Sequence, residues 1–135
     1  GHLVLSTLHT NTAVGAITRL RDMGVEPFLL SSTLLGVLAQ RLVRVLDPAS
    51  RVPYPAADHE RRFLNLGAGE AAPTLYRPGG EGSGYRGRTG IYELVTVDDA
   101  MRGMIHDGAG EQELERHARR SSASIRDDGR RKILE

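Results

Sequence analysis

The sequence contains no cysteine and no tryptophan, and only 4% of its 135 residues are aromatic. The absence of cysteine excludes disulfide bonds and thiolate metal sites. The longest apolar stretch, Pro27 to Leu38, is interrupted by polar residues and is too short to span a bilayer. A formal net charge of +1 gives no overall electrostatic support for nucleic-acid binding. The length and the hydrophobic content of 39% indicate about one domain with one sizeable core.

Several motifs of complete catalytic sites are also missing. The sequence has no GxxxxGK[ST] phosphate loop, no G-x-S-x-G elbow and no catalytic glutamate after an identifiable magnesium-binding strand. Asp127 and Asp128 are sequence neighbours that diverge around a helix, which argues against a paired-carboxylate site. We therefore expect no complete active site in this chain alone.

The first stretch, GHLVLSTLHTN, has the pattern of a strand that leads into a site. Leu3 to Leu5 is predicted to be a buried strand, and the polar residues from Thr7 to Asn11 would lie at the carboxyl edge of an α/β sheet. Such a strand needs neighbours on both sides, so we expect the chain to be a fragment that is cut at both ends.

His9 has two interpretations on residue type alone. It is either a phosphate sensor, with hydrogen-bond donors around it, or a histidine that satisfies backbone groups in a turn. His2 and His9 lie an odd number of positions apart on an extended strand and would point to opposite faces. No third ligand of suitable spacing follows, so no metal site is predicted.

The rest of the first half predicts helices, a strand and then a loss of pattern. Asn11 or Thr12 would cap a first helix, and Pro27 would begin a second helix that runs through Gln40. Arg41 to Leu46 is predicted to be a strand. Residues 47–84 contain five of the six prolines and a glycine cluster, which indicates an irregular insertion. Within it, a helix is expected over 57–66 and a short strand at 75–76, around a small core drawn from Phe63, Leu64, Leu66, Leu75 and Tyr76.

The second half predicts one strand from Arg88 and three helices, over 98–106, 111–120 and from 125 onward, with Asp98 as a cap. The motif GYRGRTG has two interpretations. Arg86 or Arg88 pairs with a phosphate or with a carboxylate of a neighbouring subunit, or both arginines are solvated in a tight turn. The charges between 126 and 132 indicate a solvated helix face with internal ion pairs. Three further histidines are expected to be exposed: His59, His106 and His117.

Four stretches occur together in one order: GHLVLSTLHTN, AITRLRDMGVEPFLLSSTLLGVLAQRLVRVL, GYRGRTGIYEL and SIRDDGRRK. In this order the sequence resembles the C-terminal part of the secretion-superfamily ATPases, most closely the type II secretion ATPases. The resemblance covers nearly the whole chain outside 47–84.

The resemblance implies an α/β fold, namely the C-terminal part of a RecA-like domain of the P-loop NTPases. Residues 1–46 would be the part of the RecA-like core, and residues 47–84 the irregular insertion. Residues 85–97 would form the returning strand region, and residues 98–135 a C-terminal helical subdomain.

The resemblance also implies a function and its site. The family forms hexameric motors that use ATP and Mg²⁺ to drive pseudopilus assembly at the cytoplasmic face of the inner membrane, where they meet platform proteins. His2 and His9 match the family's histidine box as catalytic positions, with His9 the γ-phosphate sensor. Thr7 would contact nucleotide, and Arg88 matches a family arginine that lies near the nucleotide or the subunit interface, assigned here to nucleotide binding. The family's phosphate loop and catalytic glutamate precede the histidine box and are not in this chain, so the fragment alone is expected to be inactive.

The insertion departs from the family pattern. Members usually carry two Cys-x-x-Cys pairs that bind zinc, but Asp47-Pro48-Ala49-Ser50 stands in place of the first pair, and a short Gly-rich link stands in place of the second. No zinc is therefore expected.

Other functions remain open. The type IV pilus assembly ATPases have a similar histidine box, although the DMGVEPFLLSSTLLGVLAQRLVR and SIRDDG matches favour secretion. The chain could instead be a non-catalytic module that contacts neighbouring subunits or a membrane platform protein through its helical tail from Asp98 onward. A nucleic-acid partner is not expected, because no stacking aromatics accompany the arginine-rich tail.

Overall fold

The computed structural model describes residues 1–67 and 69–135. Helices and short sheets are mixed along the chain, which confirms the α/β class. No described helix has both the length and the apolar character that crossing a membrane requires. The elements are α1 (Ala13–Asp22), α2 (Pro27–Thr33), β1 (Gly36–Leu46), β2 (Val52–Pro55), α3 (Asp58–Phe63), β3 (Thr74–Arg77), β4 (Tyr85–Thr96), α4 (Asp99–His106), α5 (Glu111–Ala118) and α6 (Ile125–Leu134).

The chain divides into two compact units. The first unit comprises residues 1–39 and 92–124, and the second unit comprises residues 40–91 and 125–135. The strands β1 and β4 contribute residues to both units. The four segments expected from the sequence remain a prediction about domain organisation.

The first unit has an apolar core that its helices build from residues at helical spacing. Met101 and Ile105 on α4, and Leu114 and Ala118 on α5, lie four residues apart on one helix face. Their side chains meet those of α1 and the end of β4 in one cluster. Its buried members are Ala13, Val14, Ile17, Leu30, Val95, Val97, Met101, Ile105, Leu114 and Ala118.

The second helix is shorter than the sequence predicted. It ends at Thr33, and the chain enters β1 at Gly36, so the expected helix through Gln40 is wrong in its second half. The hydroxyl groups of Ser32 and Thr33 donate to backbone carbonyls of the same helix, which weakens its last turn. The apolar run from Pro27 to Leu38 is continuous and shows no helical period that would fix its conformation. Pairing with β4 therefore decides where the helix ends and the strand begins.

β1 and β4 pair as an antiparallel ribbon. At one end the Val97 amide donates to the Leu35 carbonyl at 3.0 Å, and at the other end the Asp47 amide donates to the Gly84 carbonyl at 3.0 Å. The returning strand that the sequence predicted from Arg88 is thus confirmed, and it begins earlier, at Tyr85.

The insertion is more regular than the sequence predicted. The expected helix and short strand are confirmed as α3 and β3, and β3 pairs with the unpredicted strand β2. Pro53 and Pro55 lie in β2, which usually argues against a strand. The Ala56 amide donates to the Pro73 carbonyl at 3.2 Å. Because backbone amides alternate in direction along a strand, the nitrogen atoms of Pro53 and Pro55 point away from β3, to the open edge, where no amide donor is needed.

The second unit has a small core. Ala56, Leu64 and Leu75 are buried, and Tyr54 and Leu66 pack against them. Of the residues expected there, Phe63 and Tyr76 are exposed instead.

Arginine side chains lie over aromatic rings of the second unit that are exposed or half-buried. The guanidinium of Arg51 lies 3.9 Å from the ring centroid of Tyr76, and Arg44 lies at the same distance from Tyr85. Arg130 lies 5.2 Å from the ring of Phe63. The rings are thus shielded by cation–π contacts rather than by burial.

The charged tail helix forms the predicted internal ion pairs. Arg130 contacts Asp127 at 2.9 Å, and Arg131 contacts Asp128 at 2.7 Å. Both pairs are three residues apart on α6, where side chains are neighbours on the helix surface.

Candidate functional site

The histidine segment, residues 1–10, contains no regular secondary structure and is exposed throughout. The expected strand over Leu3 to Leu5 is therefore wrong: these side chains are 75%, 78% and 87% exposed for Leu3, Val4 and Leu5. The physical reason is that a buried parallel strand needs partner strands, and no described strand pairs with this segment.

The side chains of His2, Thr7 and His9 all lie in this segment. Each is exposed, and within the part of the chain that the structure describes none of the three makes a hydrogen bond or an ion pair. The structure thus leaves the imidazole and hydroxyl groups accessible, and it neither buries nor orients them. The pairing of His9 with backbone groups in a turn, the alternative from residue type, is not observed among these residues.

Two threonines hold the end of the histidine segment at the start of α1. Thr10 Oγ1 donates to the Thr12 carbonyl at 3.0 Å. Thr12 caps α1, because its Oγ1 accepts from the Gly15 amide at 2.9 Å, and its hydroxyl donates to Glu111 on α5 at 3.3 Å. Of the two caps expected, Asn11 or Thr12, the structure selects Thr12, which lies three residues after His9.

Arg88 lies on β4, in the second unit, with an exposed side chain. Arg86, the other arginine of the motif, is exposed as well. Neither guanidinium makes an ion pair with a described residue. The candidate residues therefore occupy two units, with the histidines and Thr7 in one and Arg88 in the other.

A buried charge that the sequence did not predict lies a few residues further along β4. Glu93 is only 4% exposed and forms an ion pair with Arg119, which follows α5. The Nε atom of Arg119 lies 2.8 Å from Glu115 as well. The alternation of β4 could have revealed Glu93, because it shares a face with the buried Val95 and Val97.

A second polar anchor lies at the start of α4. Asp98 caps this helix by accepting from the Met101 amide at 2.7 Å, as the sequence predicted. Both of its carboxylate oxygens also lie within 2.9 Å of His117 Nε2. The Met101 amide first, and His117 second, hold the pKa of Asp98 below its usual value. The expectation that His117 is exposed is wrong, because its side chain is only 16% exposed.

The described residues do not fit a resident metal ion. Among them, no three histidine, cysteine, aspartate or glutamate side chains are close enough to hold one. Magnesium is normally held by carboxylates together with substrate phosphates. No catalytic step through Mg²⁺ can therefore be derived from these side chains.

Comparison with known proteins relates the chain to a family. The family described as "Type II/IV secretion system protein" matches residues 1–135, the whole sequence. The chain belongs to this family. The chain is 66% identical to the type II secretion system protein E of Pseudomonas aeruginosa over 139 aligned residues, and 58% identical to the type II secretion system ATPase E of Vibrio cholerae over 137.

The matches cover nearly all of this chain but only part of its relatives. They include 100% and 98% of the chain, but only 28% and 27% of the Pseudomonas aeruginosa and Vibrio cholerae proteins. A protein E of Aeromonas hydrophila is 56% identical over a similar range. The resemblance to the secretion ATPases is therefore confirmed at the level of the family.

Proposed function

We propose that the chain is the C-terminal part of a type II secretion ATPase, which hydrolyses ATP to drive pseudopilus assembly. The family match over all 135 residues carries this proposal, together with 58% identity to a protein named as a secretion ATPase. The names of the similar relatives favour secretion over type IV pilus assembly.

The proposal extends to fold and assembly. The chain completes a RecA-like domain whose phosphate loop and catalytic glutamate come from the part of the protein outside these residues. The whole protein is a homo-hexamer at the cytoplasmic face of the inner membrane, where it contacts platform proteins of the secretion system. The chain alone does not hydrolyse ATP, because it lacks those groups and contains no described magnesium site.

In this proposal His9 senses the γ-phosphate of ATP, and His2 is the second member of the histidine box. The exposed imidazole of His9 has no described partner, so its ring N–H is available to a phosphate oxygen. A hydrogen bond to a charged group is worth about 1.5–3 kcal/mol, enough to bias a conformational equilibrium but not to hold a nucleotide.

Thr7 and Arg88 would contact the nucleotide as well. The Thr7 hydroxyl is an exposed donor two residues before His9. Arg88 offers a planar guanidinium with five N–H donors that matches phosphate oxygens, and it has no described ion-pair partner. Thr7 would orient the phosphate, and Arg88 would stabilise its charge.

The test is ATP hydrolysis by the full-length hexamer that carries His9→Ala, with His106→Ala as the matched control. His106 is also an exposed histidine, but it ends α4 in a region without a proposed role. Loss of a hydrogen bond of the size given above predicts a fall in kcat of roughly 10- to 100-fold for His9→Ala. The control should retain wild-type turnover.

A wild-type kcat in the His9→Ala hexamer would remove the sensor role while leaving the family assignment intact. Absence of ATP hydrolysis in the wild-type full-length protein would contradict the proposed function itself. Complementation of strains that lack either the secretion or the pilus ATPase decides between the two motors, and rescue of pilus assembly alone would favour the pilus alternative.

A further inference from the structure

The two ends of the insertion contact each other directly at its base. Residues 47–50 form a tight turn, in which the amides of Ser50 and Arg51 donate to the Asp47 carbonyl at 3.1 and 2.9 Å. The Asp47 side chain accepts from the Ala49 amide at 3.1 Å. The turn is therefore closed by its own hydrogen bonds.

The glycine-rich link, residues 78–84, packs against this turn. Besides the bond from the Asp47 amide to the Gly84 carbonyl, Gly79 approaches the turn so closely that a Cβ there would lie 2.5 Å from the Ser50 carbonyl oxygen. The same Cβ would lie 2.5 Å from Cγ2 of Val52. Only glycine fits at position 79 without displacing backbone.

Position 84 in the same link also requires glycine. Its φ of +69° lies in the left-handed region, and a Cβ there would lie 2.5 Å from Cβ of Pro78. This conformation turns the chain into β4 directly after the contact with Asp47.

These two segments stand where the resemblance implies the two zinc-binding Cys-x-x-Cys pairs. The residues present do not fit zinc, because the chain has no cysteine and no described group of side chains could hold a metal ion.

We infer that a glycine junction, residues 47–50 packed on residues 79–84, closes the base of the insertion in place of a metal clamp. Further from the base, a carboxylate reinforces it. Tyr54 donates its hydroxyl proton to Glu60 at 2.6 Å, and the other Glu60 oxygen accepts from the Ala57 amide at 2.9 Å. The insertion is thus held by direct hydrogen bonds at both levels.

The test is hydrogen exchange of the full-length protein that carries Gly79→Ala, with Gly69→Ala as the matched control in the same insertion. A Cβ at Gly69 would meet nothing within 4 Å. We expect Gly79→Ala to speed amide exchange in the junction by about tenfold or more, because the added methyl group overpacks the contact. Gly69→Ala should leave exchange there unchanged.

A second measurement on the wild-type protein does not depend on any variant folding. The Asp47 amide should be protected from exchange, and a chelator should leave both its protection and the melting temperature unchanged. A stoichiometric metal whose removal exposes the Asp47 amide would overturn the inference. So would an unprotected Asp47 amide, or a junction that tolerates Gly79→Ala as well as Gly69→Ala.

Discussion

The two units of the molecule stabilise themselves in different ways. The first unit buries a cluster of ten described residues, six of which have no exposed surface. The second unit buries three, and it relies on arginine–ring contacts, ion pairs along α6 and the glycine junction. Hydrophobic burial is non-directional and large, whereas each polar contact is worth only about 1 kcal/mol. The stability of the first unit therefore depends on the packing of apolar side chains, and that of the second unit depends on polar contacts whose distances and directions must be correct.

The largest expected effect comes from removing the same side chain in each core. Leu114→Ala should lower the free energy of unfolding by about 4 kcal/mol, because Leu114 is fully buried in the larger cluster. Leu64→Ala should cost about 2 kcal/mol, since the small cluster around Leu64 can collapse into the space.

Urea denaturation gives both free energies, and hydrogen exchange assigns each loss to its unit. Equal losses for the two leucine variants would contradict the comparison, because they would mean that the small cluster packs as tightly as the large one.

The next effect contrasts a buried ion pair with an exposed one. Arg119→Ala leaves Glu93 buried without its cation, and we expect a loss of about 3 kcal/mol. Arg131→Ala on α6 should change the free energy of unfolding much less than Arg119→Ala does, because Arg131 is 58% exposed and its ion pairs are screened by solvent.

Glu93→Gln in the Arg119→Ala background serves as the rescue variant, since it removes the buried charge that Arg119 paired with. Thermal denaturation of the single and double variants measures the coupling between the two side chains. If the double variant recovered no stability relative to Arg119→Ala, the buried charge would not be the cause of the loss.

Most helices could be predicted from the sequence because the caps and apolar patterns that mark them lie within a few neighbouring residues. Asp98 marks the start of α4 through a capping bond that spans three residues, and α4 and α5 show their periodic apolar faces within a single window. The charges that pair along α6 are equally local, since partners lie three residues apart.

The errors lie where distant contacts decide the structure. The apolar run from Pro27 fits a helix or a strand until β4 is present to pair with it. The strand over Leu3 to Leu5 would need partners that the described chain does not provide. The prolines of β2 hide a strand because only the register shows that they face the open edge.

For the candidate site the sequence supplies residue identities alone, and their roles stay predictions. The resemblance selects His2, Thr7, His9 and Arg88, and the structure shows each of them exposed. The buried Glu93 and its bond to Arg119 were missed, because the two residues lie 26 positions apart and nothing local connects them.

The smallest effect is a dependence of stability on pH at the Asp98 cap. The pKa of folded Asp98 is lowered, so the carboxylate contributes fully above its unfolded pKa of about 3.9, and this contribution is lost as the pH falls through the folded value. Asp98→Ala should therefore lower the free energy of unfolding by about 1 kcal/mol at pH 7, as the loss of a helix cap does, and by progressively less in acid.

Asp98→Asn is the informative control for this prediction. Asparagine caps a helix nearly as well as aspartate, so it retains the bond to the Met101 amide while it removes the titrating charge and, with it, the ion pair to His117. Denaturant unfolding at a series of pH values from 7 to about 3 should show the variant close to wild type at neutral pH and less sensitive to acid. If Asp98→Asn were as acid-sensitive as wild type, other carboxylates, such as Glu60 of the second unit with its lowered pKa, would carry the acid response. The polar anchor that controls acid stability would then belong to the unit with the small core.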